Sequence, residues 1–314
     1  VLGRLRSEAF LDGGMQLDAA AARTAVGRVA GPLGLSIEAT AEGVIRVANE
    51  HMARALRVIS VQRGLDPRDY VLTSFGGAGG LHVCALAEAL EVPRALVPVQ
   101  GGVLSALGML SAPPARQLSQ AWPARLAECR AAALEDVWEE LAAQGTAELA
   151  AEGIDPEVLE RHATLDLCYE GQSYVLNLPW QGIDATLADF HAAHEARYGH
   201  RLDRPVALVN LRLEVSAPPP ELVLPERRPG RAAPAAHLPM PGVEAKVPVY
   251  ARAELGAGQR LEGPALITET VATTWLAPGW RCEVDRWGNL LLVWVQQRGL
   301  GGSSAESVGT SRLR

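Results

Sequence analysis

Residues 76–80, Gly-Gly-Ala-Gly-Gly, carry almost no side chain, and His82 follows two positions later. So bare a backbone can come within van der Waals distance of a flat or anionic ligand. Where such a run opens a helix, its amide N–H groups favour an anion. The chemistry this suggests is nucleotide binding. The same glycines have a second reading, tight packing of a helix on a strand. Neither common phosphate loop is present. Starting from Gly77 and Gly79, the third glycine of G-x-G-x-x-G is replaced by His82, and the sole lysine, Lys246, lies far from the run. His82 falls in the first turn of the following helix, whose positive end disfavours an imidazolium and leaves a neutral ring able to donate or accept a proton. A helix-start histidine bonded to backbone is the plainer alternative.

Two other groups have suggestive spacing. His191 and His194 stand i, i+3 on one helical face, as a metal would want, but no third ligand follows at a recognisable interval. A solvated face is expected there, and no metal site. Asp166, Glu170 and Gln172 could line a cleft, although alternation in a half-exposed strand places them equally well.

The elements that position these residues follow from periodicity. Apolar residues at Val44, Ile45, Ala48, Met52, Ala55, Leu56 and Ile59 predict a helix over 36–64, capped by Ser36 and ended by Gly64 before Asp66-Pro67. A short strand at 71–75, the glycine turn, a helix over 81–90 and a strand at 95–99 then make a parallel pair through a crossover. Pro113-Pro114 and Trp122-Pro123 mark a boundary, and the Ala- and Glu-rich stretch 126–151 predicts a connecting helix. Beyond it the period shifts toward alternation, with strands near 165–169, 174–178 and 206–215 and a helix over 187–198. A Pro-rich connection over 217–241 precedes short strands at 247–250, 265–269, 273–277, 281–284 and 290–295.

Composition bounds the function. The 314 residues have a net charge of −7, which disfavours nucleic acid as a partner, and the apolar share of 48% suits a globular chain. Four scattered cysteines without a C-x-x-C pair suggest neither a zinc knuckle nor a disulfide framework, and fit a reducing cytoplasm. No apolar run is long enough to span a bilayer, so no membrane role is expected.

The stretch SFGGAGGLHVCALAEALEVPRALVPVQGGVLSALGML resembles the FGGAGPLHA…LGIPRVIVP…PGVLSALGLL signature of the hydantoinase A / 5-oxoprolinase family. AEGVIRVANEHMARALRVISVQRGLDPRDY upstream, and LDLCYEGQSYVLNLP, FHAAHEARYGHRLDRPVALVNLRLEV and GPALITETVATTWLAPGWRCEVDRWGNLLL downstream, resemble family segments in order. The resemblance implies an ATP-using subunit that phosphorylates a cyclic amide or ketone oxygen, for ring opening or carboxylation. It implies an α/β fold: part of an actin-like, ribonuclease H-like ATPase domain over 1–118, a connecting helix over 119–156, a β-rich α+β domain over 157–296 and a disordered tail over 297–314. Gly76, Gly77, Ala78 and Gly79 would form the adenosine wall with Asn49 reaching it, and His82 is the candidate catalytic residue. Arg54 and Arg57 also resemble family positions and read as structural charges.

Two departures stand out. Gly80 replaces a proline of the family pattern, and no Asp-Gly-Gly-Thr phosphate loop occurs, Asp12-Gly13-Gly14-Met15 being the nearest string. The expectation is a carboxy-terminal portion of a longer subunit, with Mg²⁺ ligands in a missing amino-terminal domain and a hydantoinase B-type second subunit as partner. The rival expectation is a non-catalytic assembly module whose glycine loop only packs a helix on a strand.

Overall fold

The computed structural model describes residues 1–295. In chain order its elements are α1 (Ala19–Leu33), α2 (Ile37–Ile59), β1 (Leu72–Thr73), α3 (Gly79–Ala89), β2 (Arg94–Val97), α4 (Leu104–Ser111) and β3 (Ala115–Arg125). Then come α5 (Ala131–Ala151), β4 (Glu160–Tyr169), β5 (Leu176–Pro179), α6 (Ile183–Tyr198), β6 (Val206–Ser216), β7 (Ala236–Leu238) and β8 (Val247–Ala251). The last five strands are β9 (Arg260–Glu262), β10 (Ala265–Thr268), β11 (Thr273–Leu276), β12 (Trp280–Val284) and β13 (Leu290–Trp294). The tail expected to be disordered lies outside the described residues. Among the described residues no helix is long and apolar enough to cross a membrane.

The chain divides into two compact units, one of them discontinuous: Val1–Leu107 joined with the described residues from Val223 onward, and Gly108–Leu222. This corrects the linear division at 118 and 156. The reason is a sheet ordered β1-β2-β13-β12-β9, in which β13 pairs antiparallel with β2, Leu290 opposite Val97 and Leu292 opposite Ala95. The alternating pattern of 281–295 is read correctly as two strands, but a strand's pattern does not say which edge it joins. The expected parallel pair is present as β1 and β2. A second sheet of this unit, β11-β10-β8-β7, lies beside it. Buried residues of α3 (Val83, Cys84, Ala87), β2, β10, β12 and β13 form one core, around Trp280.

α2 begins where Ser36 caps it, Oγ accepting from the Ala39 amide at 3.0 Å, as the sequence predicts. α3 starts inside the glycine run instead of after it. Its surface meets β11 so closely that a Cβ on Gly80 would stand 2.6 Å from Thr274 Oγ1 and 2.8 Å from the Thr273 carbonyl oxygen.

The unit Gly108–Leu222 is a sheet ordered β3-β6-β4-β5 with α5 and α6 buried against it, through Leu134, Trp138, Leu149 and Phe190. The stretch 126–151 is therefore no connector but a core helix. Trp122-Pro123 falls within β3, where a bulge between Ala121 and Ala124 absorbs the proline.

Candidate functional site: a cleft at the glycine turn

β1 is only two residues long, and the chain leaves it into a turn that Gly76 makes at φ +86, a left-handed conformation that suits glycine. The Gly76 amide donates to the Gly101 carbonyl at 2.8 Å, so the turn after β1 and the turn after β2 stand side by side. The turn joining β10 to β11 covers both. A Cβ on Gly77 would meet the Val271 carbonyl oxygen at 2.8 Å, and one on Gly102 would meet the same atom at 2.8 Å. Gly79 is filled in the same way by Ser74 Oγ at 2.7 Å. Packing thus accounts for Gly77, Gly79, Gly80 and Gly102, whereas a Cβ on Gly76 would meet nothing within 4 Å.

A cleft of about 830 Å³ opens beside these turns. Gly77, Ala78 and Leu81 line one side, Val99, Gln100 and Val103 another, and 268–273 and the segment around Phe10 the rest. Gly77 and Ala78 are exposed, and their amides donate to no group among the described residues. Ala78 precedes α3 and gives it no side-chain cap; the Gly79 and Leu81 amides turn back to the Gly76 and Ala78 carbonyls, so the unpartnered N–H groups at the cleft wall are those of Gly77 and Ala78. The size falls in the range of small-molecule sites. The leucine, valine and phenylalanine walls suit a base, and the bare amides suit polar oxygens, so these residues fit part of a nucleotide.

Arg252 is the charged group that sequence reasoning missed. Only 2% exposed, it lines the cleft and donates to Glu269 Oε1 at 2.9 Å, to the Val97 carbonyl at 2.8 Å and to the Gly288 carbonyl at 2.9 Å. Burial lowers its pKa from the ordinary arginine value, and Glu269 opposes that shift. It ties the end of β2 to the β12–β13 turn and to the residue after β10. A signal existed: Arg252 follows β8 directly, Glu269 follows β10 directly, and those strands pair in parallel with Thr268 opposite Ala251. On the opposite wall, Asp12 accepts from the Thr270 hydroxyl, so the Asp-Gly-Gly-Met string is a turn at the cleft rim.

The structure separates the other predicted residues from this cleft. Asn49 on α2 and His82 on α3 do meet, Oδ1 to Nδ1 at 2.7 Å, which puts the ring hydrogen on Nδ1 and leaves Nε2 as the acceptor. Burial, then the charge of Arg4, lowers the His82 pKa, so the ring is neutral at pH 7. Its partner is thus a side chain and not backbone. Yet Asn49 lines a second cavity of about 540 Å³, with Arg4 and Trp275, while Gly77 and Ala78 line the first. The expected single wall of Gly76, Gly77, Ala78, Gly79 and Asn49 is therefore two surfaces, with Leu81 on both. Arg57 donates to the Ala89 carbonyl at 2.7 Å, a structural role as expected.

In the unit Gly108–Leu222, the histidine face expected to be solvated is largely packed inward. His194 is 1% exposed, its Nδ1 donating to the His200 carbonyl at 2.9 Å, and His191 Nδ1 lies 2.7 Å from the Tyr169 hydroxyl. Among the described residues no three His, Cys, Asp or Glu side chains converge as a metal site. Asp166, Glu170 and Gln172 do not form a cleft either: Asp166 is caged by Asn177, Asn210 and Arg212, Glu170 pairs with Arg125, and Gln172 reaches His194.

Residues 1–117 match the model of the family described as Hydantoinase/oxoprolinase. An uncharacterized protein of Methanocaldococcus jannaschii is 35% identical over 297 residues, covering 92% of this chain and 43% of its own length. The caprolactamase subunit alpha of Pseudomonas jessenii is 32% identical over 305 residues, 90% of this chain and 44% of that one. This chain thus spans less than half the length of these relatives. The crystal structure of the ATP-dependent caprolactamase from Pseudomonas jessenii superposes with a TM-score of 0.73 at 30% identity, covering 93% of this chain and 45% of that chain. The mixed α/β architecture with several sheets is therefore shared with a solved relative, and the chain belongs to the hydantoinase/oxoprolinase family.

Proposed function

We propose that this chain supplies the nucleoside-binding cleft of an ATP-using subunit of hydantoinase/oxoprolinase type, acting on the carbonyl of a cyclic amide. The observation that supports it is the pair of unpartnered amides at Gly77 and Ala78, opening onto a cleft of about 830 Å³ at the start of α3. They lie in the stretch of the chain with the strongest family signature. The unit holding β1, α3 and β2 is, on this reading, part of an actin-like ATPase domain.

ATP, when bound, supplies the phosphoryl group that turns an amide oxygen into a better leaving group. Gly77 and Ala78 would hold polar oxygens of the nucleotide by their N–H groups, and Leu81, Val103 and Val271 would exclude water from the base. The buried Arg252–Glu269 pair would keep the turns on either side at a fixed spacing. Phosphoryl transfer rests mainly on positioning and charge neutralisation. With no Asp-Gly-Gly-Thr in the sequence, the phosphate and Mg²⁺ ligands would come from residues outside these 314, and a second subunit would complete the enzyme.

The second reading is an assembly module, favoured by the protein atoms that fill the space over Gly77, Gly79, Gly80 and Gly102. One experiment separates the two. Ala78 is exposed on the cleft wall, so Ala78→Trp fills the cleft without touching the packed glycines. Titration calorimetry of the chain with ATP should show binding that Ala78→Trp weakens at least tenfold with an unchanged melting temperature. ATP binding equal in both proteins, or none in either, rejects the nucleotide cleft and leaves the module.

A further inference from the structure

The second cavity, of about 540 Å³, has a chemistry of its own. Arg4 lies with its guanidinium carbon 5.1 Å from the centre of the Trp275 ring, half-buried, and makes no hydrogen bond or ion pair with any described residue. The indole face holds the guanidinium at the cavity wall by a cation–π contact, and its fork of donors has no partner among the described residues. Burial lowers the Arg4 pKa, and among the described residues Glu42 acts against that shift from too far off to form an ion pair. A half-buried cation with no ion-pair partner is one that an anion in the cavity would stabilise.

The neighbours extend the pattern. Asn49 gives its carbonyl oxygen to His82, so its NH₂ group is the polar edge left over at the cavity wall. Arg46, exposed at the rim, has no partner among the described residues. Of the two lining carboxylates, Glu88 is already engaged by the Trp280 indole N–H at 2.7 Å, and Glu42 is free to accept an N–H. The remaining walls are apolar, with Leu2, Ile45 and Met240.

We infer that this cavity is a second ligand site, for a small carboxylate with a compact apolar body: Arg4 and the Asn49 amide take the carboxylate, and Glu42 accepts an N–H where the ligand carries one. Planar bidentate pairing with an arginine fork is the recognition mode such a guanidinium is built for. The inference does not depend on the nucleotide cleft, which shares Leu81 alone with this cavity and has its own variant.

The test uses the whole chain and three probes: cyclopentanecarboxylate, proline and the uncharged cyclopentylmethanol, followed by titration calorimetry and by the indole signals of Trp275 in NMR spectra. Both carboxylates should bind and shift Trp275, and cyclopentylmethanol should not. Arg4→Gln should weaken both at least tenfold, and Arg46→Glu, a change at an exposed position with nothing to unfold, should weaken both about threefold or more. Tighter binding of proline than of cyclopentanecarboxylate, lost in Glu42→Gln, assigns the N–H contact. Equal binding of the alcohol, or carboxylate affinities that neither arginine substitution changes, overturns the site. ATP titrations of the same variants tell this failure from that of the cleft, because Ala78→Trp should leave carboxylate binding intact.

Discussion

Gly80→Ala should destabilise the protein although it replaces a helical glycine by the best helix former. Gly80 is the second residue of α3, and a Cβ there would stand 2.6 Å from Thr274 Oγ1, 2.8 Å from the Thr273 carbonyl oxygen and 3.0 Å from Thr274 Cα. Two of these are backbone atoms of β11, which cannot step aside without disturbing its pairing with β10. Overpacking of this kind costs about 1–3 kcal/mol, against which the helix gains about 1 kcal/mol. Where the glycine is more exposed the sign reverses: Gly43 in α2 has nothing within 4 Å of its Cβ position, so Gly43→Ala should gain most of that ~1 kcal/mol. In a unit of this size each kcal/mol moves the melting temperature by about 2–4 °C. Calorimetric melts should therefore place Gly80→Ala a few degrees below the parent and Gly43→Ala a few degrees above. Equal shifts of the same sign would refute the claim that β11 fills the space over Gly80. The proline that the family pattern favours at this position also carries a Cβ, so Gly80→Pro should fail in the same direction.

Arg252→Met should cost about 3–5 kcal/mol by urea unfolding, because it leaves Glu269 and the Val97 and Gly288 carbonyls buried without their donor; Arg252→Met together with Glu269→Gln should recover part of it, and no recovery would deny the pairing. Around Asp166, burial works to raise the carboxyl pKa but is outweighed by hydrogen bonds from Asn210, Asn177 and Arg212, and the net shift is downward. A folded pKa below the unfolded one means stability that is fully present above the ordinary carboxylate value of about 3.9 and lost as pH falls through the depressed folded value. Stability of the unit around Asp166 should fall there in the parent and much less in Asp166→Asn, and identical acid slopes would contradict it. Purified chain with Mg²⁺ and ATP should release phosphate only at background, since the arginines lining the cleft, Arg6, Arg227 and Arg252, are already engaged by Glu8, the Ala253 carbonyl and Glu269, and turnover surviving His82→Ala would show otherwise. The His82 ring should stay neutral with its hydrogen on Nδ1 at pH 7 in nitrogen NMR, and Arg4→Gln should raise its pKa, because Arg4 is the charge that lowers it.

Local signals in the sequence carried α2, α3, the strand pair β1–β2 and the late hairpin β12–β13, each marked by a cap, a glycine turn or an alternating run. Partnership was what they lacked. Nothing in residues 290–294 says that they complete a sheet begun at 94–97, and so the linear division failed while the strands themselves were found. The glycine run was legible as a place of close approach, but glycine looks the same whether a ligand or the chain's own Val271 and Thr274 does the approaching. Asn49, expected at the nucleotide wall, and His82, expected as a catalytic group, touch each other, and Asn49 lines a different cavity from the one expected, because helical periodicity fixes a face and not the pocket it meets. Arg252 and Arg4 escaped notice because an isolated arginine in an arginine-rich chain reads as surface charge until its neighbours are known.

Photolabelling with 8-azido-ATP tests the central claim most directly, since it reports which of two adjoining cavities the base enters. The account predicts crosslinks in peptides holding 77–81, 99–103 or 268–273, competed by ATP and abolished by Ala78→Trp. Labelling confined to peptides around Arg4, Asn49 or Met240, or labelling that Ala78→Trp leaves unchanged, would contradict it.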